Sequence, residues 1–268
     1  MKTETSSLRD SSLPVIVLCG GEGSRMQAPT NKVLVEIGGR PILWHVMKIY
    51  ASYGHARFVL ALGHQAEGIK RYFLEYEPMS YDFTIQMGQS CAITYHGAET
   101  EDWEVTLADT GPHALKGARV YRAAKYIDTD TFFVTYGEAV GDVDIDALLA
   151  FHRQHGRLAT VTGARMWSHL GVFQLDENGD GQVVGFAEKP VLDHWINAGF
   201  MLFERGVLDY LDDEDSFQLE KDGFPRLVAD GQLMMYRHSG YWRSMKTFKD
   251  AQELDAIWRE SAPWKTWN

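Results

Sequence analysis

A glycine-rich turn with two cationic side chains close behind it is the feature of this sequence best suited to chemistry. The turn, residues 20–23, reads GGEG, and Arg25 and Lys32 follow it. Glycines let backbone N–H groups approach an anion closely, and the positive end of a following helical turn adds to the attraction. Arg25 offers a rigid two-pronged donor for a phosphate, and Lys32 a second positive charge. The pattern indicates a phosphate site, although a plain strand-to-helix turn has the same spacing.

Two familiar phosphate loops are excluded by the spacing around this turn. The dinucleotide fingerprint GxGxxG is not completed, because no third glycine follows Gly23 at the required distance. The P-loop is excluded because no Gly-Lys-Ser/Thr follows either. A nucleotide bound at this turn would therefore be held in another way.

Short apolar runs alternating with segments of helical spacing determine the predicted fold. The predicted strands cover residues 14–19, 58–62, 131–135 and 159–163, and the predicted helices cover residues 41–53, 66–76 and 145–155. Such alternation predicts an α/β fold with a mixed, mainly parallel sheet flanked by helices. Ligands bind beyond the carboxyl ends of strands in such sheets, and both the glycine turn and Glu138 fall there.

The net charge, the lengths of the apolar runs and the cysteine count restrict the possible partners of the chain and its cellular compartment. A net charge of −11 argues against nucleic acid polymers and anionic membranes as partners. No apolar run is long enough to cross a bilayer, and the polar residues 1–12 lack the apolar stretch of a signal peptide. Two cysteines, Cys19 and Cys91, are too few for a disulfide framework, and Cys19 lies in a strand pattern as a small core residue. We expect a loose tail over residues 1–12 and a single domain over residues 13–268, in the cytoplasm.

The chain also resembles the sugar-1-phosphate nucleotidyltransferases, and among them the glucose-1-phosphate cytidylyltransferases. GGEGSRM and NKVLVEIGGRPILWHVMKIY carry the likeness near the start, and VTLADTG and the closing APWKTW are specific to the cytidylyl branch. Further matching segments follow in order over nearly the whole chain after the tail: IKRYF, FFVTYGEAVGDVDI, FAEKP, WINAGF, LVADGQL and GYW. The resemblance implies a Rossmann-like sheet. It also implies transfer of a nucleotidyl group, cytidylyl from CTP, to a sugar-1-phosphate with release of pyrophosphate.

The resemblance further implies roles for single residues. Arg25 and Lys32 would bind the triphosphate and stabilise the leaving pyrophosphate. Lys189 would hold the sugar phosphate, and Tyr136 and Asn197 would contact the sugar, which we expect to meet the aromatic-rich part of the chain after about residue 181. Four glycines would line the base and phosphates of the nucleotide: Gly20, Gly21, Gly23 and Gly63.

The positions that bind magnesium in the family are altered here. The family segment YGDG, whose aspartate ligates Mg²⁺, reads YGEA and places Glu138 at the ligand position. The longer side chain displaces the carboxylate by about one C–C bond, and Mg²⁺ tolerates poor octahedral geometry badly. The second aspartate of the family is Lys246 here, which cannot ligate a metal while protonated but supplies a positive charge. We therefore keep Glu138 as the one candidate ligand for Mg²⁺, and we place Lys246 with Arg25 and Lys32 as a catalytic cation.

Two neighbouring acids and one further segment add expectations. Without a ligand, Glu138 would pair with Lys246 rather than ligate a metal. The alternative is that Lys246 points to solvent from a loop and the site is inactive. Asp142 is interpreted as a loop carboxylate or as the cap of the helix predicted from residue 145. The segment 168–171 reads SHLG where the family has an arginine-containing GRFG, which leaves the identity of the sugar open.

Two functional accounts follow. The expected partners are a nucleoside triphosphate and a sugar phosphate, and the family implies a homo-oligomer. In the first, the chain is a transferase in which Lys246, with Arg243, partly replaces the metal, or in which the substrate brings magnesium with it. In the second, the fold binds a nucleotide or nucleotide-sugar, or acts on it by different, metal-independent chemistry. A generic α/β binding module accounts for the fewest of the motifs.

Overall fold

A computed structural model describes residues 12–21, 31–88, 92–97, 101–168 and 170–267. The strands in these ranges are β1 Val15–Leu18, β2 Glu36–Ile37, β3 Arg40–Pro41, β4 Arg57–Leu62, β5 Asp82–Gln86, β6 Ala92–His96, β7 Glu104–Asp109, β8 Thr131–Tyr136, β9 Ala139–Gly141, β10 Ala159–Trp167, β11 Val172–Leu175, β12 Val183–Ala187, β13 Val191–Asn197, β14 Met201–Glu204, β15 Leu233–His238 and β16 Trp242–Ser244. The α-helices are α1 Ile42–Ser52, α2 Ala66–Leu74, α3 Tyr76–Ser80, α4 Lys116–Ala123, α5 Ile145–His155, α6 Phe224–Ala229 and α7 Phe248–Glu260. Shorter turns are the 3₁₀ segments Lys32–Leu34, Ala124–Tyr126 and Arg205–Tyr210 and the π segment Leu219–Gly223.

The central sheet contains eight strands. Strands β7, β4, β1 and β8 lie side by side in that order and run parallel. Strand β14 is antiparallel to β8, and β10 is antiparallel to β14, so β10 points the same way as β8. Strand β15 pairs in parallel with the other edge of β10. The predicted mixed, mainly parallel sheet is confirmed.

Strand β1 forms the middle of the sheet because all four of its residues are apolar. They are 0–6% exposed, as expected for a strand covered on both faces. The pairing aligns Leu18, the last residue of β1, with Ala61 of β4 and Tyr136 of β8. The segments that follow these three strands therefore emerge at one carboxyl edge.

Helices cover both faces of the sheet. Helices α1, α5 and α7 share one apolar core with the alternate residues Val15 and Val17 of β1 and with the buried Trp264. Helices α4 and α6 share the other core with Ile16 and Leu18. Because side chains alternate along a strand, the apolar run of β1 stabilises both layers.

The second half of the chain contains more strands than the sequence indicates. The predicted strand 159–163 extends to Trp167, and the mixed region after residue 181 contributes strands β12 to β16. Strand β13 continues the line of β14 along β10, with Asn197 opposite Gly163. The outer parts of β10 and β13 thus extend past the carboxyl edge. The predicted helix 66–76 is interrupted at Glu75, where α2 ends and α3 begins.

Among the described residues, none of the helices combines the length and the apolar character needed to span a membrane.

Two buried histidines predict a loss of stability in mild acid. Burial lowers the pKa of His45 and of His55 from 6.5 to about 4. Because these values lie below those of the unfolded chain, the unfolded state takes up protons first as the pH falls below 6.5. Above pH 6.5 we expect each buried histidine to make its full contribution to the free energy of unfolding. By pH 4 we expect this free energy to decrease on the order of 2–3 kcal/mol per histidine.

Urea unfolding followed by tryptophan fluorescence between pH 7.5 and pH 4.5 tests this expectation. His45→Gln should flatten the pH dependence, because Nε2 of His45 donates to the carbonyl of Ile37 at 2.8 Å and an amide can donate there without titrating. His113→Gln, at an exposed histidine, is the matched control. Equal pH slopes for wild type and His45→Gln would contradict the assignment.

Candidate functional site

An ion pair between Lys32 and Glu138 lies at the carboxyl edge of the sheet. The Nζ of Lys32 stands 2.5 Å from Oε1 of Glu138, and the two side chains are 20% and 17% exposed. Glu138 follows β8 by two residues, and its carbonyl accepts a hydrogen bond from the N–H of Met245 at 2.8 Å. The structure therefore places the predicted phosphate-binding lysine and the predicted metal ligand in direct contact with each other.

Asn31 fixes the position of Lys32. Its side-chain oxygen accepts from the N–H of Val33 at 3.2 Å and caps the 3₁₀ turn. Its amide nitrogen donates to the carbonyls of Cys19 at 3.1 Å and of His64 at 2.9 Å, which follow β1 and β4. The sequence analysis missed this residue, and the available signal was an asparagine, a preferred capping residue, directly before the lysine.

A buried arginine holds the loops behind the site. Arg119 of α4 is 4% exposed. Its Nη1 donates to the carbonyls of Leu62 at 2.8 Å and Gly111 at 2.9 Å and to the hydroxyl of Thr110 at 2.7 Å, while Nη2 donates to the carbonyl of Gly20 at 2.9 Å. One guanidinium thus joins the last residue of β4 to the segments that follow β1 and β7. Its sequence signal is weak: an arginine with small or apolar neighbours on both sides.

The predicted nucleotide glycines meet this arginine. A Cβ at Gly20 would lie 2.2 Å from the Cζ of Arg119, and one at Gly63 would lie 2.2 Å from its Nη1. Both positions therefore require glycine because of a close approach within the protein. Gly21 is exposed, and a Cβ there would meet no atom of the described residues within 4 Å. Gly23 and Arg25 lie outside the described residues.

The two predicted sugar contacts are in contact with each other. The amide nitrogen of Asn197 donates to the hydroxyl of Tyr136 at 2.9 Å, and the amide oxygen accepts from the N–H of Gly199 at 2.9 Å. The hydroxyl of Tyr136 in turn donates to Glu220 at 2.8 Å, a residue that the sequence analysis did not single out. Burial and the neighbouring Glu220 carboxylate raise the pKa of Tyr136, which therefore remains a neutral donor at physiological pH.

Lys189 is separate from this group. It is exposed, follows β12, and has a φ of 47°, a conformation uncommon for a residue with a side chain. The seven residues of β13, Val191–Asn197, span roughly 20 Å from the first to the last in an extended strand. The structure brings Tyr136, Asn197 and the neighbourhood of Glu138 together, and the contact of Lys189 with a sugar phosphate stays a prediction.

The expected pairing of Glu138 with Lys246 was wrong. Lys246 is exposed, and its backbone N–H donates to the carboxylate of Asp250 at 3.0 Å, in the capping box that begins α7. Lys32, fixed by its 3₁₀ turn, is the partner of Glu138 instead. The cap of α5 is Asp144, whose carboxylate accepts from the N–H of Ala147, whereas Asp142 pairs with His238 at 3.0 Å.

The residues at this edge do not fit a protein-held magnesium ion. Mg²⁺ is usually bound by one or two carboxylates together with substrate phosphates. Within the described ranges, no group of three or more His, Cys, Asp or Glu side chains is arranged to hold a metal. The carboxylate of Glu138 already faces the ammonium of Lys32, and a second lysine, Lys246, directly follows Met245, the residue that hydrogen-bonds to Glu138.

This chain is similar in sequence to nucleotidyl transferases. The family model for nucleotidyl transferases matches residues 14–259. A probable glucose-1-phosphate cytidylyltransferase of Bacillus subtilis is 37% identical over 259 residues, which are 95% of this chain and 100% of that protein. A glucose-1-phosphate cytidylyltransferase of Salmonella typhi is 38% identical over 261 residues, with the same shares of the two chains.

A solved structure shares the fold at lower identity. HddC from Yersinia pseudotuberculosis, complexed with GMP-PN, superposes with a TM-score of 0.65 at 17% identity, over 92% of this chain and 99% of that chain. At this identity the superposition supports the α/β architecture and no more.

Gly63→Ala tests the packing of the site on Arg119. The added methyl group would displace the guanidinium, and overpacking of this kind costs roughly 1–3 kcal/mol. Because the guanidinium holds the end of β4 and the segments after β1 and β7, we expect a lower melting temperature and about tenfold weaker binding of CTP, which corresponds to about 1.4 kcal/mol. Thermal unfolding and calorimetric titration measure both.

Gly68→Ala is the matched control for this change. A Cβ at Gly68 would lie 3.5 Å from a methyl carbon of Leu34, an ordinary contact, and Gly68 is in α2. We expect wild-type CTP affinity and equal or higher stability for this variant. If Gly63→Ala behaved like Gly68→Ala, the close approach would have no consequence for the site.

Proposed function

Because the chain belongs to the nucleotidyl transferase family, we propose that it transfers a cytidylyl group from CTP to a sugar-1-phosphate and releases pyrophosphate. The observation that carries the proposal is the position of Lys32. Its ammonium stands at the carboxyl edge of the sheet, on the same edge as the Gly20 segment and the Tyr136–Asn197 pair. A cation at this place can neutralise phosphates bound between the glycine segment and the polar pair.

The reaction requires two anions to meet. An oxygen of the sugar phosphate attacks the α-phosphorus of CTP, and the bond from that phosphorus to the oxygen bridging to the β-phosphate breaks. The products are a nucleotide-sugar and pyrophosphate. Positioning and cationic groups do most of the work in such a transfer. Lys32 would stabilise the charge that develops on the leaving pyrophosphate, and Arg25 would do so with it.

The remaining roles come from the resemblance to the family. The exposed backbone at Gly21 suits a nucleotide phosphate, and we extend this role to Gly20, Gly23 and Gly63 on the family's pattern. Tyr136 and Asn197 would contact the sugar, and Lys189 would reach the sugar phosphate. Cytidine is favoured as the base, and glucose-1-phosphate as the first acceptor to test, because two full-length relatives with 37–38% identity are described by that activity.

Nucleotidyltransferases of this family generally use Mg²⁺. This chain differs in the residues at the metal-ligand positions, Glu138 and Lys246. In the family, a metal ion held by two carboxylates supplies positive charge. We propose that Lys32 and Lys246 supply this positive charge here. The close pairing of Lys32 with Glu138 supports this proposal, because it leaves the Glu138 carboxylate neutralised. The exposure of Lys246 leaves its ammonium free to meet an incoming phosphate.

A second candidate is a nucleotide- or nucleotide-sugar-binding protein without transfer activity. The same ion pair favours it, since a lysine engaged by Glu138 must be released before it can contact a phosphate. Binding of CTP without any transfer to glucose-1-phosphate or mannose-1-phosphate, with or without Mg²⁺, would favour this candidate.

We also propose a homo-oligomer. The hairpin of β11 and β12 exposes apolar side chains on one face, with Phe173 62%, Leu175 60% and Phe186 58% accessible. Apolar patches of this kind are uncommon on monomers and mark interaction surfaces.

Lys32→Ala should lower kcat by about 10²–10³ and weaken CTP binding less, because charge on the leaving pyrophosphate is largest in the transition state. Steady-state kinetics and calorimetric titration separate the two effects. Lys249→Ala, at a lysine whose side chain is 82% exposed, is the matched control and should keep wild-type kinetics. A wild-type kcat in Lys32→Ala would remove this residue from the transition-state contacts.

Lys246→Asp tests the proposed replacement of the metal. Transfer by the wild type should persist in EDTA, and Lys246→Asp should become dependent on added Mg²⁺, because it restores a carboxylate beside Glu138. Paired assays of both proteins with EDTA and with Mg²⁺ measure the dependence. Strict dependence of the wild type on Mg²⁺ would refute the replacement.

A further inference from the structure

We propose that Glu220 and Lys116 form a hydroxyl-reading subsite that determines which sugar the protein accepts. The inference rests on the proposed function and names the part of the acceptor site that selects the substrate. The ligand class is a pyranose with neighbouring free hydroxyl groups.

The hydrogen bonds that orient the Glu220 carboxylate end on one of its two oxygens, Oε1. The hydroxyl of Tyr136 donates to Oε1 of Glu220 at 2.8 Å, and the ammonium of Lys116 is bonded to the same oxygen. Asn197 supports this arrangement by donating to the hydroxyl of Tyr136 at 2.9 Å. In the described part of the chain no hydrogen bond ends on Oε2. Because the Glu220 side chain is 29% exposed, that oxygen can accept from a ligand.

Backbone packing holds the pair in place. Glu220 lies in the π segment Leu219–Gly223, and π turns are frequent at functional sites. The carboxylate of Asp222 accepts from the N–H of Gln218 at 2.7 Å and ties the two ends of this turn. At the start of α4, a Cβ on Gly117 would lie 2.4 Å from the Cδ1 of Phe217, so the helix approaches the segment that leads into the π turn closely. This approach brings Lys116 to Glu220.

The pair borders the proposed transfer site. The Nζ of Lys116 lies 4.7 Å from the centre of the Tyr136 ring, and Tyr136 is the last residue of β8, two residues before Glu138. The pair is thus at the carboxyl edge, on the side of the sheet covered by α4. A sugar whose phosphate pointed toward Lys32 would present its ring hydroxyls in this direction.

The chemistry of the pair suits adjacent hydroxyls. The free carboxylate oxygen accepts a hydroxyl proton, and the ammonium has further N–H groups to donate to a neighbouring oxygen. A site built to hydrogen-bond a hydroxyl rejects an analogue that lacks it, because the polar group of the site is then left unpaired. A purely structural role, fastening α4 to the π turn, would affect stability and would not distinguish one hydroxyl from another.

The test compares Glu220→Gln and Lys116→Gln with the controls Glu214→Gln and Lys221→Gln, which alter exposed residues of the same region. The probes are glucose-1-phosphate and its 2-, 3-, 4- and 6-deoxy analogues, with CTP as donor. We expect the wild type to disfavour at least one analogue by about tenfold or more in kcat/KM, since its polar group loses a partner. Glu220→Gln should raise the KM for glucose-1-phosphate about tenfold, abolish that discrimination and leave the KM for CTP unchanged. Lys116→Gln should weaken the discrimination, and both controls should match the wild type.

Unchanged discrimination in Glu220→Gln, or an equal loss with every analogue, would overturn the proposal. Calorimetric titration with glucose-1-phosphate and CDP-glucose separates it from the proposed function. If the wild type binds either ligand but transfers nothing, and Glu220→Gln binds it more weakly, the subsite stands and the transfer does not. If transfer occurs and Glu220→Gln keeps the wild-type pattern, the transfer stands and the subsite falls. Absence of both binding and transfer would refute both.

Discussion

The buried guanidinium of Arg119 is the interaction on which the carboxyl edge depends. Its acceptors lie at the carboxyl ends of three parallel strands, in the last residue of β4 and in the segments after β1 and β7, and all of these acceptors are neutral oxygens. Burying the charged guanidinium without such partners would cost free energy. If one of these oxygens were displaced, an N–H group of Arg119 would be left without a hydrogen-bond partner. The glycines at positions 20 and 63 are required because the guanidinium occupies the space of their missing side chains.

Two lysines lie at this edge of an acidic chain whose net charge is −11. Lys32 pairs with Glu138, so the charges of these two side chains offset each other. Lys246 directly follows Met245, whose N–H donates to the carbonyl of Glu138, and its side chain is exposed.

The polar group of Tyr136, Asn197 and Glu220 depends on the extension of β10 and β13 past the sheet. The pairing of β13 with β10 brings Asn197 next to Tyr136, and the π turn adds Glu220 from a later part of the chain. Donor and acceptor groups are therefore linked from Asn197 through Tyr136 to Glu220. Lys189 precedes the other end of β13 and is separated from Asn197 by the length of that strand.

The sequence by itself predicted strands β1, β4 and β8, the first part of β10, helices α1, α2 and α5, and the edge at which Gly20 and Glu138 emerge, because local apolar periodicity and breaker residues carry that information. It did not predict strand β7 or helix α4. It also identified the family, and it singled out Tyr136 and Asn197, through ordered motifs. Only the tertiary structure decided that Lys32 pairs with Glu138, that Arg119 holds Gly20, and that Glu220 orients on Tyr136. These partners are 106, 99 and 84 residues apart, and a contact over such distances depends on register and packing, which local pattern does not encode.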